Sequence, residues 1–203
     1  DLNTFYSKTS IATQIRSYAL SIIHADVILL TSFFDGFKDN SLVDLDPAYN
    51  LPPIISVVYD LIPFIHPKTY LDNDEEYKYF YNKKLNNLKK LDSILTISES
   101  SKEEIIKYTE FNRHLVFNIS AACDTNTFNT KISEANKEQS KIIESLGQFF
   151  LYIGAIDPRK NLYFLLHSYS LLPLNIAIKY KLVLAGPFSD EEKNLIKSWA
   201  SKL

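Results

Sequence analysis

Short apolar, β-branched runs alternate along this chain with stretches whose apolar residues recur every three or four positions, and that alternation leaves few folds open. The clearest run is Ile54 to Tyr59, closed by Asp60 and Pro63. It is apolar almost throughout, without the in–out alternation of a half-exposed strand, so it reads as a strand covered on both faces. Residues 73–91 then read as a helix, with Tyr77, Phe80, Tyr81, Leu85, Leu88 and Leu91 on one face and most lysines on the other. Ser93 to Ile97 returns as a strand, and Ser100 with Glu103 has the capping-box spacing for another helix. Leu115 to Ile119 closes this βαβ unit.

The same logic places a helix over residues 9–23 and a strand from Asp26 to Leu30, followed by the aromatic loop Phe33-Phe34-Asp35-Gly36-Phe37. A second βαβ unit reads as strand Phe149 to Ile153, helix Lys160 to Leu172 and strand Leu182 to Ala185, with Ser189 and Glu192 spaced to cap the last helix. Between the two lies a polar, weakly periodic stretch with a short helix near Ile142 to Leu146. The expectation is an α/β protein with two parallel sheets covered by helices. Its divisions are a first domain over residues 1–130, a linker over 131–148 and a second domain over 149–203.

Composition excludes some functions. The formal net charge of -2 gives no global basic field for nucleic acid. A single cysteine, Cys123, builds neither a disulfide framework nor a Cys-rich zinc site, and it suits a reducing, cytoplasmic compartment. No apolar run approaches the roughly 18 residues of a membrane span; Tyr18 to Leu30 is interrupted by His24 and Asp26. The sequence opens on Asp1 and closes on an unterminated helical pattern, so both ends read as cuts in a longer protein.

In parallel α/β sheets ligands sit at the carboxyl ends of strands. Gly154 and Gly186 each follow a strand of the second unit, where a missing Cβ admits a ligand or simply a tight turn. After Gly154, Pro158 stiffens a loop that puts Arg159 and Lys160 at a helix start. Cations there oppose the helix dipole, so they suit a bound anion such as a diphosphate better than helix stability; two solvated charges on a turn are the plainer alternative. In the first unit Asp60 stands directly past a buried strand, placed to accept sugar hydroxyls or to shape a turn. His66 precedes Pro67 and reads first as structural, with a general base as the alternative. Ser98 and Glu99 remain as cleft candidates once capping is assigned to Ser100 and Glu103. Phe33, Phe34 and Phe37 read first as core, and otherwise as contacts to a lipid-linked acceptor or a membrane surface.

These residues, taken in order, resemble a known family. Asp60-Leu61-Ile62-Pro63, Tyr70-Leu71, the run Leu91 to Ser101, and Asn118-Ile119 with Asp124 and Phe128 look like successive blocks of bacterial family 4 glycosyltransferases. Tyr152-Ile153-Gly154 with Pro158-Arg159-Lys160-Asn161, and Lys181 to Gly186, are similar to the first strands and phosphate loop of that family's second domain. The blocks span most of the chain from Asp26 to Gly186, and the Asp-Leu-Ile-Pro subgroup with an aromatic Asp-Gly loop looks like enzymes of bacterial surface-polysaccharide synthesis.

The resemblance implies a GT-B fold of two Rossmann-like domains, both incomplete here, facing each other across a cleft. It implies a retaining, metal-independent transfer from a nucleotide-sugar donor to a saccharide or lipid-linked acceptor, without a cofactor. The enzyme would work in the cytoplasm, with peripheral association at the membrane face. Lys160 matches the diphosphate-binding lysine, with Arg159 and Gly154 beside it and Asp60 and Tyr59 in catalytic places. The chain departs from the family at Ala155, where many members have Arg, and at Tyr59, where many have His. The family's paired glutamates would lie past Leu203, so the fragment alone would be inactive. Two other readings are a non-catalytic acceptor- or partner-binding module with a vestigial donor half, and a sugar-nucleotide epimerase of the same architecture.

Overall fold

A computed structural model describes the backbone of residues 2–39, 41–128 and 137–203, and the side chains of these residues apart from 2–9 and 137–140. Contacts divide the chain into two units, Asp1–Asp124 and Thr125–Leu203. The boundary expected at residue 130, and residues 131–136 of the expected linker, lie outside the described residues.

The first unit is built on strands β1 (Ile28–Leu30), β2 (Ile54–Val58), β3 (Ser93–Thr96) and β4 (Val116–Asn118). They form one sheet in the order β1-β2-β3-β4, and every neighbouring pair is parallel. The helices are α1 (Leu2–Ile22), the short α2 (Ile62–Ile65) and α3 (Pro67–Tyr70), α4 (Glu75–Asn87) with a 3-10 turn at Leu88–Lys90, and α5 (Glu99–Thr109). Val58, Ile94, Leu61, Leu88 and Ile105 are fully buried, so strands, loops and helices meet in one core. Burying side chains of this kind contributes about 1.5–3 kcal/mol each. Phe33 belongs to this core and Phe34 packs against it, as the first of the two readings for the aromatic loop expects.

Side-chain hydrogen bonds set the register at strand ends. Asp92 Oδ2 accepts from the Ile54 N–H at 2.7 Å, while the Asp92 N–H donates to the Ile54 carbonyl at 2.8 Å. The long connection from β1 to β2 is held down by polar anchors. The Ser17 hydroxyl of α1 accepts from the Asp46 N–H at 2.8 Å. Lys84 of α4 places its ammonium 2.9 Å from Asp44 Oδ1, with its own side chain only 4% exposed. Burial pushes the Lys84 pKa down, and Asp44 opposes that shift. The rings of Phe33 and Phe80 lie 5.7 and 5.5 Å from the same ammonium.

The expected helix caps need one correction. α5 is capped not by Ser100 with Glu103 but by Ser98, whose hydroxyl accepts from the Ser101 N–H at 3.1 Å. Ser98 is the last residue with extended backbone, which is what an N-cap requires. Glu103 instead forms a two-pronged pair with Arg113 at 2.8 and 2.9 Å. Ser189 and Glu192 do form a full capping box.

The second unit contains α6 (Lys137–Leu146), the parallel pair β5 (Phe149–Ile153) and β6 (Lys181–Ala185), and helices α7 (Leu162–Ser170), α8 (Leu174–Lys179) and α9 (Asp190–Ala200). The helix expected from Lys160 begins two residues later. A 3-10 turn spans Pro158–Lys160, and Asn161 then takes a left-handed backbone (φ 47°) before α7 starts. Asn tolerates that conformation better than most residues, which is why the break falls there. Leu162 and Leu166 are the buried face of α7.

The Lys84–Asp44 pair yields a test. Asp44→Ala strands a buried ammonium and should cost about 3 kcal/mol. Lys84→Met keeps the packed stem and leaves Asp44 its partial access to water, so it should cost less. Urea unfolding of the two variants checks the order.

Candidate nucleotide-sugar site

In the second unit the loops after β5 and β6 meet. The Gly154 N–H donates to the Ala185 carbonyl at 2.9 Å, extending the β5–β6 ladder by one bond. A Cβ on Gly186 would collide with the Gly154 carbonyl oxygen, so only glycine allows these two turns to close on each other. Gly154 has φ +140°, a backbone that L side chains rarely adopt. The Lys160 side chain folds back over it, and its ammonium occupies the space that a Gly154 Cβ would need. Gly154, Gly186 and Lys160 therefore form one cluster at the carboxyl end of the sheet.

The two neighbouring cations are used differently. Asp157 accepts from the Arg159 N–H at 2.8 Å and from Arg159 Nη2 at 2.7 Å, so it both caps the turn and holds the guanidinium. Lys160 has no carboxylate within ion-pair distance among the described residues, and it is exposed. Lys160 is thus the cation available to a bound anion. The position after Gly154, Ala155, presents a methyl group and a carbonyl that accepts from the Tyr152 hydroxyl at 2.8 Å.

In the first unit Tyr59, Asp60, Ser98 and Glu99 all follow strands of one parallel sheet and so lie along its carboxyl edge. Tyr59 is 50% exposed. Asp60 Oδ1 accepts from the Ile62 N–H at 2.9 Å, shaping the turn into α2. The Ser98 hydroxyl is committed to the α5 cap. Glu99 accepts from the Asn118 amide at 3.2 Å and pairs with Lys102 at 3.6 Å. His66 joins α2 to α3, and its side chain caps neither.

Sequence reasoning assigned Tyr77 and Tyr81 to the apolar face of α4 only. Burial, followed by the field of Asp60, raises both phenol pKa values. Tyr81 is 2% exposed, and the Phe64 backbone is the polar group that its buried hydroxyl faces. A tyrosine where helical spacing calls for a leucine was the available signal.

No family model matches the chain. It is 34% identical over 189 residues to the serotype-specific mannosyltransferase WbdA of Escherichia coli, an alignment covering 92% of this chain and 23% of that protein. It is 32% identical over 93 residues to the O-antigen chain mannosyltransferase B of Escherichia coli, covering 46% of this chain and 24% of the relative. The chain is homologous to bacterial glycosyltransferases. It spans about a quarter of the length of these curated relatives. Among solved structures it resembles Anabaena Alr3699/HepE, crystallised in complex with UDP-glucose, with a TM-score of 0.51 and 14% identity over 75% of this chain and 39% of that one. That likeness establishes the fold alone: α/β, with parallel sheets, of the GT-B type.

The glycine contacts yield a second test. Gly186→Ala must push the two turns apart and should destabilise the second unit by about 1–3 kcal/mol. Ser98→Ala should cost about 1 kcal/mol through loss of the α5 cap. Chemical denaturation of each variant measures both.

Proposed function

We propose that this chain serves in a retaining glycosyltransferase that moves a sugar from a nucleotide-diphosphate sugar to a polysaccharide or lipid-linked acceptor. The observation that carries the reading is the Lys160 ammonium lying over Gly154, beside Gly186, at the carboxyl end of the β5–β6 pair. Homology to mannosyltransferases over 92% of the chain supports it. In this reading the bond from the anomeric carbon to the diphosphate breaks, the diphosphate leaves with the bonding pair, and Lys160 offsets its growing charge. Glycine turns let the backbone approach the same anion. Arg159, held by Asp157, plays a lesser part.

The first unit would present the acceptor. Asp60 has one oxygen engaged by the Ile62 N–H, and the other would accept the proton of the attacking hydroxyl. Tyr59, half-exposed beside it, would hydrogen-bond a sugar hydroxyl. No cofactor or metal enters this scheme, since lysine and backbone N–H groups meet the diphosphate charge. Among the described residues no helix is long and apolar enough to cross a membrane. We place the reaction in the cytoplasm, with the acceptor drawn from the membrane face.

Titration of the chain with GDP and UDP, followed by calorimetry, tests the assignment. Lys160→Ala should weaken the preferred nucleotide about tenfold, the weight of one charge-assisted contact. Arg159→Ala should weaken it less. Equal affinity in Lys160→Ala and the unmodified chain would remove the diphosphate role. Failure of the unmodified chain to bind either nucleotide would favour the non-catalytic module.

A further inference from the structure

A cavity with its own chemistry lies in the first unit. It measures about 460 Å3 and sits between the loop that follows β1 and the start of α4. A hexose fits that space, which is within the usual range of small-molecule sites. Its lining combines the aromatic residues Phe34, Phe37 and Tyr77 with the carboxylates Asp35, Asp39 and Asp74.

The aromatic wall is fixed from behind. Phe34 stacks on buried Tyr81 at 4.4 Å with the rings 7° from parallel, and Phe37 lies 4.9 Å from Tyr77 and 5.4 Å from Phe80. The loop itself is held by the Phe33 N–H donating to the Val57 carbonyl at 3.2 Å. Gly36 takes φ +108°, and a Cβ there would lie 2.6 Å from the Ser41 carbonyl oxygen. The turn therefore needs glycine, and it sets Asp35 at the cavity wall.

The carboxylates are not equivalent. Asp39 accepts from the Ser41 N–H at 2.7 Å, and Asp74 caps α4 by accepting from the Tyr77 N–H at 2.9 Å. Asp35 is exposed and has neither hydrogen bond nor ion pair among the described residues. Nor does the Tyr77 hydroxyl have a hydrogen-bond partner there. An acceptor-only carboxylate and a phenol that can donate, set against aromatic faces, match a pyranose with its hydroxyl edge and C–H face. Three carboxylates against one ammonium, Lys38, make the lining hostile to phosphate.

We propose that this cavity is an acceptor subsite for a neutral hexose unit, with Asp35 accepting from a sugar hydroxyl, Tyr77 donating to another, and the Phe34 and Phe37 rings packing against the sugar. The assignment rests on the glycosyl-transfer reading for its biological meaning, but its physical test is separate.

The 203-residue chain is titrated with mannobiose, with methyl α-mannopyranoside and with mannose 1-phosphate, using saturation-transfer NMR. Mannobiose should bind, and Asp35→Asn and Tyr77→Phe should each weaken it about tenfold while circular dichroism stays unchanged. Both variants should keep the nucleotide affinity of the parent chain. Mannose 1-phosphate should bind more weakly than the neutral sugars. The subsite is overturned if no neutral sugar binds, if both variants bind mannobiose as the parent does, or if the phosphorylated sugar binds best. Loss of nucleotide binding in Lys160→Ala with the Asp35 effect intact supports both assignments. A parent chain that binds mannobiose through Asp35 but no nucleotide sinks only the donor reading.

Discussion

Parallel strand pairing is the constraint on which the rest of this structure depends. A parallel pair cannot be closed by a hairpin, so the chain must leave each strand at its carboxyl end and return over a face of the sheet. In the first unit that return uses α4 between β2 and β3 and α5 between β3 and β4. The strands must then be apolar on both faces, as Val58 and Ile94 are. The loops at one edge escape that demand. Asp35, Tyr59, Asp60, Ser98, Glu99, Gly154, Lys160 and Gly186 all stand in the loops that leave such an edge or at the helix start just beyond.

At those edges the turns into helices leave backbone N–H groups without helical partners, and polar side chains supply them. Asp60, Ser98, Asp74 and Asp157 each accept a backbone N–H from two or three residues ahead, closing a turn or capping a helix. Such local bonds satisfy donors that helix starts leave orphaned. They also decide which groups are left over. Ser98 is consumed by its cap and Arg159 is held by Asp157, whereas Lys160 and Asp35 keep their charges open.

This division explains what could be read from the sequence. The alternation of apolar runs and helical periods located all six described strands within a residue or two, because buried parallel strands carry a strong, local signal. Gly154, Gly186 and Lys160 were legible too, since glycine after a strand and cations at a turn are unusual locally. Their contact was not, because it depends on the register of two strands distant in sequence, Ile153 opposite Ala185 and Phe149 opposite Lys181. The α5 cap was misplaced by two residues because several serines compete there and only backbone geometry chooses among them. Tyr77 and Tyr81 were hidden by their own periodicity: a tyrosine on an apolar face looks like core until the position of its hydroxyl is known.

The charges at the two edges then follow a physical logic. Beyond β5 and β6 the open group is a cation beside glycine turns, an arrangement that attracts an anion and lets backbone reach it. Beyond β1 the open group is a carboxylate among aromatic rings, an arrangement that repels an anion and accepts hydroxyls. The open carboxylate beyond β1 disfavours an anion and the open ammonium beyond β5 attracts one, so the two edges differ in the ligand charge they accept.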